Sequence, residues 1–154
     1  MIGAVRCYSP APMVDRDILR GIMEEMIPFN RLLGIQLVEA RSGFARLEIP
    51  YRDDLIGDPV RPALHGGVIS ALLDTCGGAA CWTEIDPADR LSTVDLRVDY
   101  LRPGRKSLLV AEGRVIRMGN HVGVADIIAF HPDAPDEPVA CGKGVYNIRR
   151  ATEP

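Results

Sequence analysis

At 154 residues, with 47% hydrophobic and 25% charged content, the chain has the proportions of one globular domain large enough to bury a core, and its net charge of −3 argues against bulk nucleic-acid binding. It shows no basic n-region followed by an apolar h-region and no apolar run of about 18 residues, so secretion and membrane spanning are not indicated and a cytoplasmic location is expected. Four cysteines, Cys7, Cys76, Cys81 and Cys141, keep no metal-site or disulfide spacing, and His65, His121 and His131 stand apart, so packed thiols and no metal or other cofactor are expected.

Residues 1–14 are expected to form a flexible extension and 15–150 a single domain. Between about 15 and 27, Ile18, Ile22 and Met26 recur at helical spacing and Pro28 closes the run, which predicts an amphipathic helix. Residues 34–39 and 44–50 predict two strands joined through Ala40-Arg41-Ser42-Gly43, and a loop rich in Pro, Asp and Gly covers 51–64. An apolar helix follows, ending near 84–87. Beyond Arg90, Val94, Leu96, Val98 and Tyr100 alternate with Thr93, Asp95, Arg97 and Asp99 until Pro103-Gly104. Strands over 107–118 and 122–131, a turn at Gly119-Asn120, a loop at 132–138 and a last strand to Arg149 complete the chain. Long antiparallel strands with one buried helix describe an α+β fold in which the sheet wraps the helix. The basic residues Arg97, Arg102, Arg105, Lys106, Arg114 and Arg117 face only Asp99 and Glu112, as a phosphate-contacting edge or a solvated strand face.

The apolar helix carries one charge. From His65 to Trp82 the only ionisable acid is Asp74, and a carboxylate in such a segment loses water at a cost of several kcal/mol. At about 100° per residue its face is shared by Gly67, Ser70, Ala71, Gly77, Gly78 and Cys81, all small. Val68, Ile69, Leu72 and Leu73 fall on the flanks and far side. The carboxylate therefore overlooks a shallow trough that can hold a ligand or admit a second helix.

The start of the helix adds a second group. Pro62-Ala63-Leu64 enforces an extended approach, and His65-Gly66-Gly67 opens a helix whose first N–H groups have no intrahelical partner. With Gly66 and Gly67 these donors stay uncovered, as a developing oxyanion requires in acyl transfer. Gly66 and Asp74 are eight residues apart, about 12 Å at about 1.5 Å per residue, too far for one small carbonyl to touch both. If both act on one bond, they come from two copies of the helix across a two-fold axis, which predicts a homodimer with composite sites.

The run Leu64-His65-Gly66-Gly67-Val68-Ile69-Ser70-Ala71-Leu72-Leu73-Asp74, followed by Thr93-Val94-Asp95-Leu96-Arg97-Val98-Asp99-Tyr100-Leu101-Arg102-Pro103, closely resembles the PaaI-like branch of the hotdog-fold acyl-CoA thioesterases. The resemblance extends from about Pro28-Phe29 to the last strand. It implies that Asp74 activates water or attacks the thioester, while the Gly66 N–H of the other subunit holds the carbonyl oxygen. It implies also that His65 orients the carbonyl or caps the helix, capping being favoured, and that Thr93, or next Ser92, sets a hydroxyl near the attacking water. Many relatives have an asparagine where this chain has Asp58. A carboxylate donates no hydrogen bond unless protonated, so Asp58 orients weakly, tunes Asp74 by repulsion, or starts a turn before Pro59.

The expected reaction is hydrolysis of an acyl- or aryl-acyl-CoA, coenzyme A being part of the substrate, in a homodimer or homotetramer. The polyanionic nucleotide would lie on basic surface, with Arg102, Arg117 or the turn Gly119-Asn120-His121 as candidates, and the acyl group near the trough and the N-terminal helix. A non-catalytic acyl-CoA-binding or sensing protein is the competing class. Hydration or dehydration of an acyl thioester would want a histidine acting beside the carboxylate.

Overall fold

The computed structural model describes residues 14–151; Cys7 and nearly all of the expected N-terminal extension lie outside them. The chain runs α1 (Arg16–Gly21), a π turn (Ile22–Met26), α2 (Pro28–Leu33), β1 (Gln36–Arg41), β2 (Phe44–Ile49), a 3-10 turn (Asp53–Leu55), β3 (Ile56–Asp58), β4 (Ala63–Leu64), α3 (Gly66–Trp82), β5 (Arg90–Tyr100), β6 (Leu109–Met118), β7 (Val122–Phe130) and β8 (Ala140–Arg149). Six strands form an antiparallel sheet in the order β1-β2-β6-β7-β8-β5, and β3 pairs with β4 apart from it. The α+β expectation holds: the sheet packs on α3 through Leu47, Leu109, Ala111, Ile127 and Ala129 on one side and Ile69, Leu72, Leu73, Cys76 and Ala80 on the other. Gly113 on β6 lets the two layers approach, since a Cβ there would lie 2.8 Å from the Cys76 carbonyl oxygen.

The N-terminal helix differs from expectation. Asp15 caps α1 by accepting from the Asp17 amide at 2.8 Å. The inward stripe is Leu19 and Met23, while Ile18 is 53% and Met26 72% exposed. Both stripes have helical spacing, and contacts to β1 choose between them. Arg16 donates to the Val38 carbonyl at 2.6 Å and Glu24 accepts from the Leu37 amide at 2.8 Å, which turns the Leu19–Met23 face down. The helical run ends at Met26, just before Pro28 as expected, and Pro28 also opens α2, taking the first helical position where its missing N–H is not needed. Gly34, expected in a strand, caps α2 with φ 72°.

The hairpin turn at Ser42-Gly43 is as expected, with Gly43 at φ 67°. The stretch 51–64, expected as loop throughout, contains β3 and β4. In β5 the alternation breaks at Val94, which is 65% exposed. Thr93 pairs with Tyr146 and Asp95 with Val145, so Val94 is the extra residue of a β-bulge. One inserted residue inverts the facing of the strand. Thr93 therefore faces α3, as do Leu96 and Val98, while Asp95, Arg97 and Asp99 line the outer face.

Candidate active site

Asp74 sits midway along α3 and lines a cleft of about 270 Å³ together with Met23, Ile27, Phe29, Asn30, Trp82 and Leu91, among others. Its Oδ1 accepts from the Thr93 hydroxyl at 2.9 Å. Partial burial raises the carboxyl pKa, and the Thr93 hydrogen bond opposes this by favouring the ionised form. Ser92 lines the same cleft. The bulge at Val94 is what aims Thr93 at the carboxylate.

Gly66 is the first residue of α3, and its amide has no acceptor among the described residues. The His65 Nδ1 accepts from the Gly67 amide at 2.8 Å, the capping geometry. Gly67 thus does not present a free donor, whereas Gly66 does. The His65 carbonyl accepts from the amides of Val68 and Ile69 at 2.9 and 3.3 Å, which polarises the peptide to which the Gly66 N–H belongs. Gly66 borders a second cleft of about 350 Å³ with Tyr100, Leu101 and Arg102.

The trough on the Asp74 face is partly filled from within. A Cβ at Gly77 would lie 2.3 Å from the Tyr146 hydroxyl, so that position admits this phenol and neither a ligand nor a second helix. At Gly78, which lines the Asp74 cleft, a Cβ would meet only ordinary contacts from 3.5 Å outward.

The remaining candidates are scattered. Asp58 accepts from the amides of Val60 and Arg61 at 2.9 and 3.0 Å, the hydrogen-bond pattern of an Asx turn. The Arg102 guanidinium donates to the Pro138 carbonyl at 3.0 Å beside the Gly66 cleft. Arg117 is exposed on β6. In the basic stretch, Arg97 pairs with Asp99, Arg105 with Asp133, Lys106 with Asp53 and Arg114 with Glu112, the pattern of a solvated face. The Gly119-Asn120-His121 turn is tied down by Arg150, which donates to the Asn120 carbonyl at 2.9 Å and to Asp89 at 2.6 Å. A cleft of about 330 Å³ at the Arg150 side chain is lined by Arg90 and Arg149, which face each other across β5 and β8.

Sequence reasoning missed Asn30, Trp82, Arg90, Arg149 and the hydroxyls of Tyr100 and Tyr146. Their relation to the site arises from strand pairing and from the packing of α2 on α3, which no local spacing encodes. Only the glycines at 77 and 144, against which Tyr146 packs, were a visible trace.

An antiparallel sheet wrapped on a helix that opens with a free amide and carries one half-buried carboxylate is the arrangement expected of a hotdog-fold thioester hydrolase. The family model of the thioesterase superfamily matches residues 62–136, which include α3 and β5. The chain is 38% identical over 146 residues to VNG_1336C of Halobacterium salinarum, named as a candidate esterase, covering 88% of this chain and 96% of that one. It is 38% identical over 120 residues to the medium/long-chain acyl-CoA thioesterase YigI of Salmonella typhimurium, covering 70% of this chain and 77% of YigI. The PaaI protein of the Escherichia coli phenylacetic acid degradation operon superposes with a TM-score of 0.73 at 25% identity, over 84% of this chain and 88% of that one. The chain belongs to the thioesterase superfamily, and the expected resemblance to its PaaI-like hotdog members holds. No helix among the described residues is long and apolar enough to cross a membrane.

Proposed function

We propose that this protein hydrolyses acyl-CoA thioesters to free acid and coenzyme A, with Asp74 of one protomer and the Gly66 N–H of its partner acting on the same bond. The observation that carries the reading is Asp74 itself, a half-buried carboxylate held by Thr93 and lining a largely apolar cleft. The Gly66 N–H, reinforced by the dipole of α3, donates to the carbonyl oxygen as negative charge develops on it. In one route Asp74 takes a proton from water while the water oxygen adds to the carbonyl carbon. The C–S bond then breaks and the thiolate recovers a proton. In the other, an Asp74 oxygen adds, thiolate leaves, and water cleaves the resulting anhydride. Both use the same residues, and neither requires a metal or other cofactor.

The composite arrangement is supported by the separate clefts of Asp74 and Gly66 and by the position of β5. That strand ends the sheet with Val94 and Tyr100 exposed and its outer edge unpaired among the described residues. The acyl group enters the cleft beneath α2. The nucleotide lies over the turn at Gly119-Asn120-His121, where Arg90 and Arg149 add positive charge, or over Arg102 at the Gly66 cleft.

Thiol release from a panel of aliphatic and aryl acyl-CoAs tests this reading. Wild type should release thiol and Asp74→Ala should not. Equal release by both removes the assignment, and tight binding without release by wild type would leave a binding or sensing protein.

A further inference from the structure

Each of the two groups assigned above has its own main-chain carbonyl held by a tyrosine from the sheet. Tyr100, at the end of β5, donates its hydroxyl to the Gly66 carbonyl oxygen at 3.0 Å, and Ser70, one turn along the same helix, hydrogen-bonds to that phenol. Tyr146, on β8, donates to the Asp74 carbonyl oxygen at 3.0 Å. Tyr146 is 1% exposed, and its hydroxyl sits in a slot cleared by two glycines. A Cβ at Gly77 or at Gly144 would lie 2.3 or 2.4 Å from the phenol oxygen.

Carbonyls in the first and middle turns of a helix find acceptor duty in the helix's own ladder, so a second donor is not needed to keep α3 helical. The two phenols instead fix where the helix sits along the sheet. At the N-terminus the restraint is complete around one peptide: Tyr100 holds the Gly66 carbonyl and His65 holds the Gly67 N–H. The preceding peptide, which carries the free amide, is thereby fixed at its junction.

We propose that Tyr100 and Tyr146 are positioning residues that peg α3 to the sheet at the carbonyls of Gly66 and Asp74, so that amide and carboxylate keep the placement that addition to a thioester demands. The proposal rests on the reading of Asp74 and Gly66 as the acting groups. Misplacement of a reacting group by about 1 Å can cost about a hundredfold in rate, so pegs at these two carbonyls act on turnover more than on binding.

The test compares Tyr100→Phe, Tyr146→Phe and the double variant with wild type and Asp74→Asn, using the best acyl-CoA from the panel and the whole chain. Each Phe variant should lower kcat about tenfold or more with KM within about twofold and an unchanged circular-dichroism spectrum, and the double variant should lose about the product of the two. A kcat within about twofold of wild type in both single variants overturns the proposal, as does a raised KM at constant kcat, which would mark the phenols as cleft lining only. If Tyr146→Phe does not fold, Tyr100→Phe, on the exposed edge, decides by the same criteria. Full activity in Asp74→Asn would remove the underlying site and the pegs with it. An inactive Asp74→Asn beside fully active Phe variants would remove the pegs alone.

Discussion

Asp74 and Gly66 ride the same helix yet open onto different clefts: the carboxylate faces the space under α2, the free amide the surface beside Tyr100 and Arg102. One protomer cannot bring both to a single carbonyl, so the proposed chemistry is tied to assembly.

Mixing two dead variants should restore activity. Gly66→Pro removes the amide hydrogen at a first helical position where proline is well tolerated, and a Cβ there meets Tyr100 at an ordinary 3.4 Å. Asp74→Asn removes the base. Each alone should lose about 10²-fold or more in kcat. After equal mixing and subunit exchange, about a quarter of wild-type sites should be intact, because half the dimers are hybrids and each hybrid has one complete site. No recovery despite hybrid formation counts against the composite site, as does an active monomer in sedimentation at low concentration.

The pH dependence follows from the environment of Asp74. Burial raises its pKa and the proposed chemistry needs it ionised, so kcat/KM should rise with pH through a limb lying above the ordinary carboxylate value. Thr93→Val removes the hydrogen bond that favours ionisation. It should move that limb further up and lower kcat at neutral pH by about tenfold or more. For stability the sign is opposite to that of a salt-bridged acid. A raised folded pKa contributes stability below the unfolded value and loses it as pH climbs through the folded value. Asp74→Asn should therefore melt higher than wild type at neutral pH, and the gain should vanish in acid.

Two adjacent glycines should respond differently to alanine. Gly77→Ala drives a Cβ into the Tyr146 hydroxyl and Ile127, and should destabilise by about 1–3 kcal/mol in urea unfolding. Gly78→Ala meets only ordinary contacts and gains helix propensity of up to about 1 kcal/mol, while narrowing the Asp74 cleft. It should shift preference toward shorter acyl groups across the panel.

Asp89 anchors Arg150 and Ala151 to the start of β5. Burial works to raise its pKa, but the Ala151 amide, the Arg150 guanidinium and the Asp86 amide together outweigh this and hold it below the ordinary value. Its stabilisation is present above the unfolded pKa and lost as pH falls through the lowered folded value. Arg150→Ala leaves this carboxylate with the Ala151 and Asp86 amides but without its cation, at a cost of about 1–3 kcal/mol near neutral pH, measurable by urea unfolding. It should also loosen the Gly119-Asn120 turn that the same guanidinium holds.

Periodicity and polarity were enough to read α3, the hairpin around Gly43 and the long strands, because these are local properties of the chain. The uncharged helix with one acid, opened by two glycines, made Asp74 and Gly66 conspicuous for the same reason. Of the Ile18–Ile22–Met26 stripe only Ile22 packs against the core, because Leu19 and Met23 have helical spacing too, and only contact with β1 selects between the two stripes. In β5 the alternation placed Thr93 opposite to Leu96 and Val98; the extra residue at Val94 reverses the strand's facing, and bulges of this kind depend on the partner strand.

The order of residues by itself determined an α+β fold and made the lone acid and the uncovered amide of its central helix conspicuous, since hydrophobic burial and the unpaired amides of a helix start follow from residues adjacent in the chain. Tertiary structure alone decided that Thr93 reaches Asp74 and that the glycine at 77 makes room for Tyr146. These depend on register, bulge and packing between segments distant in sequence, and free energy of that kind exists only once the layers meet.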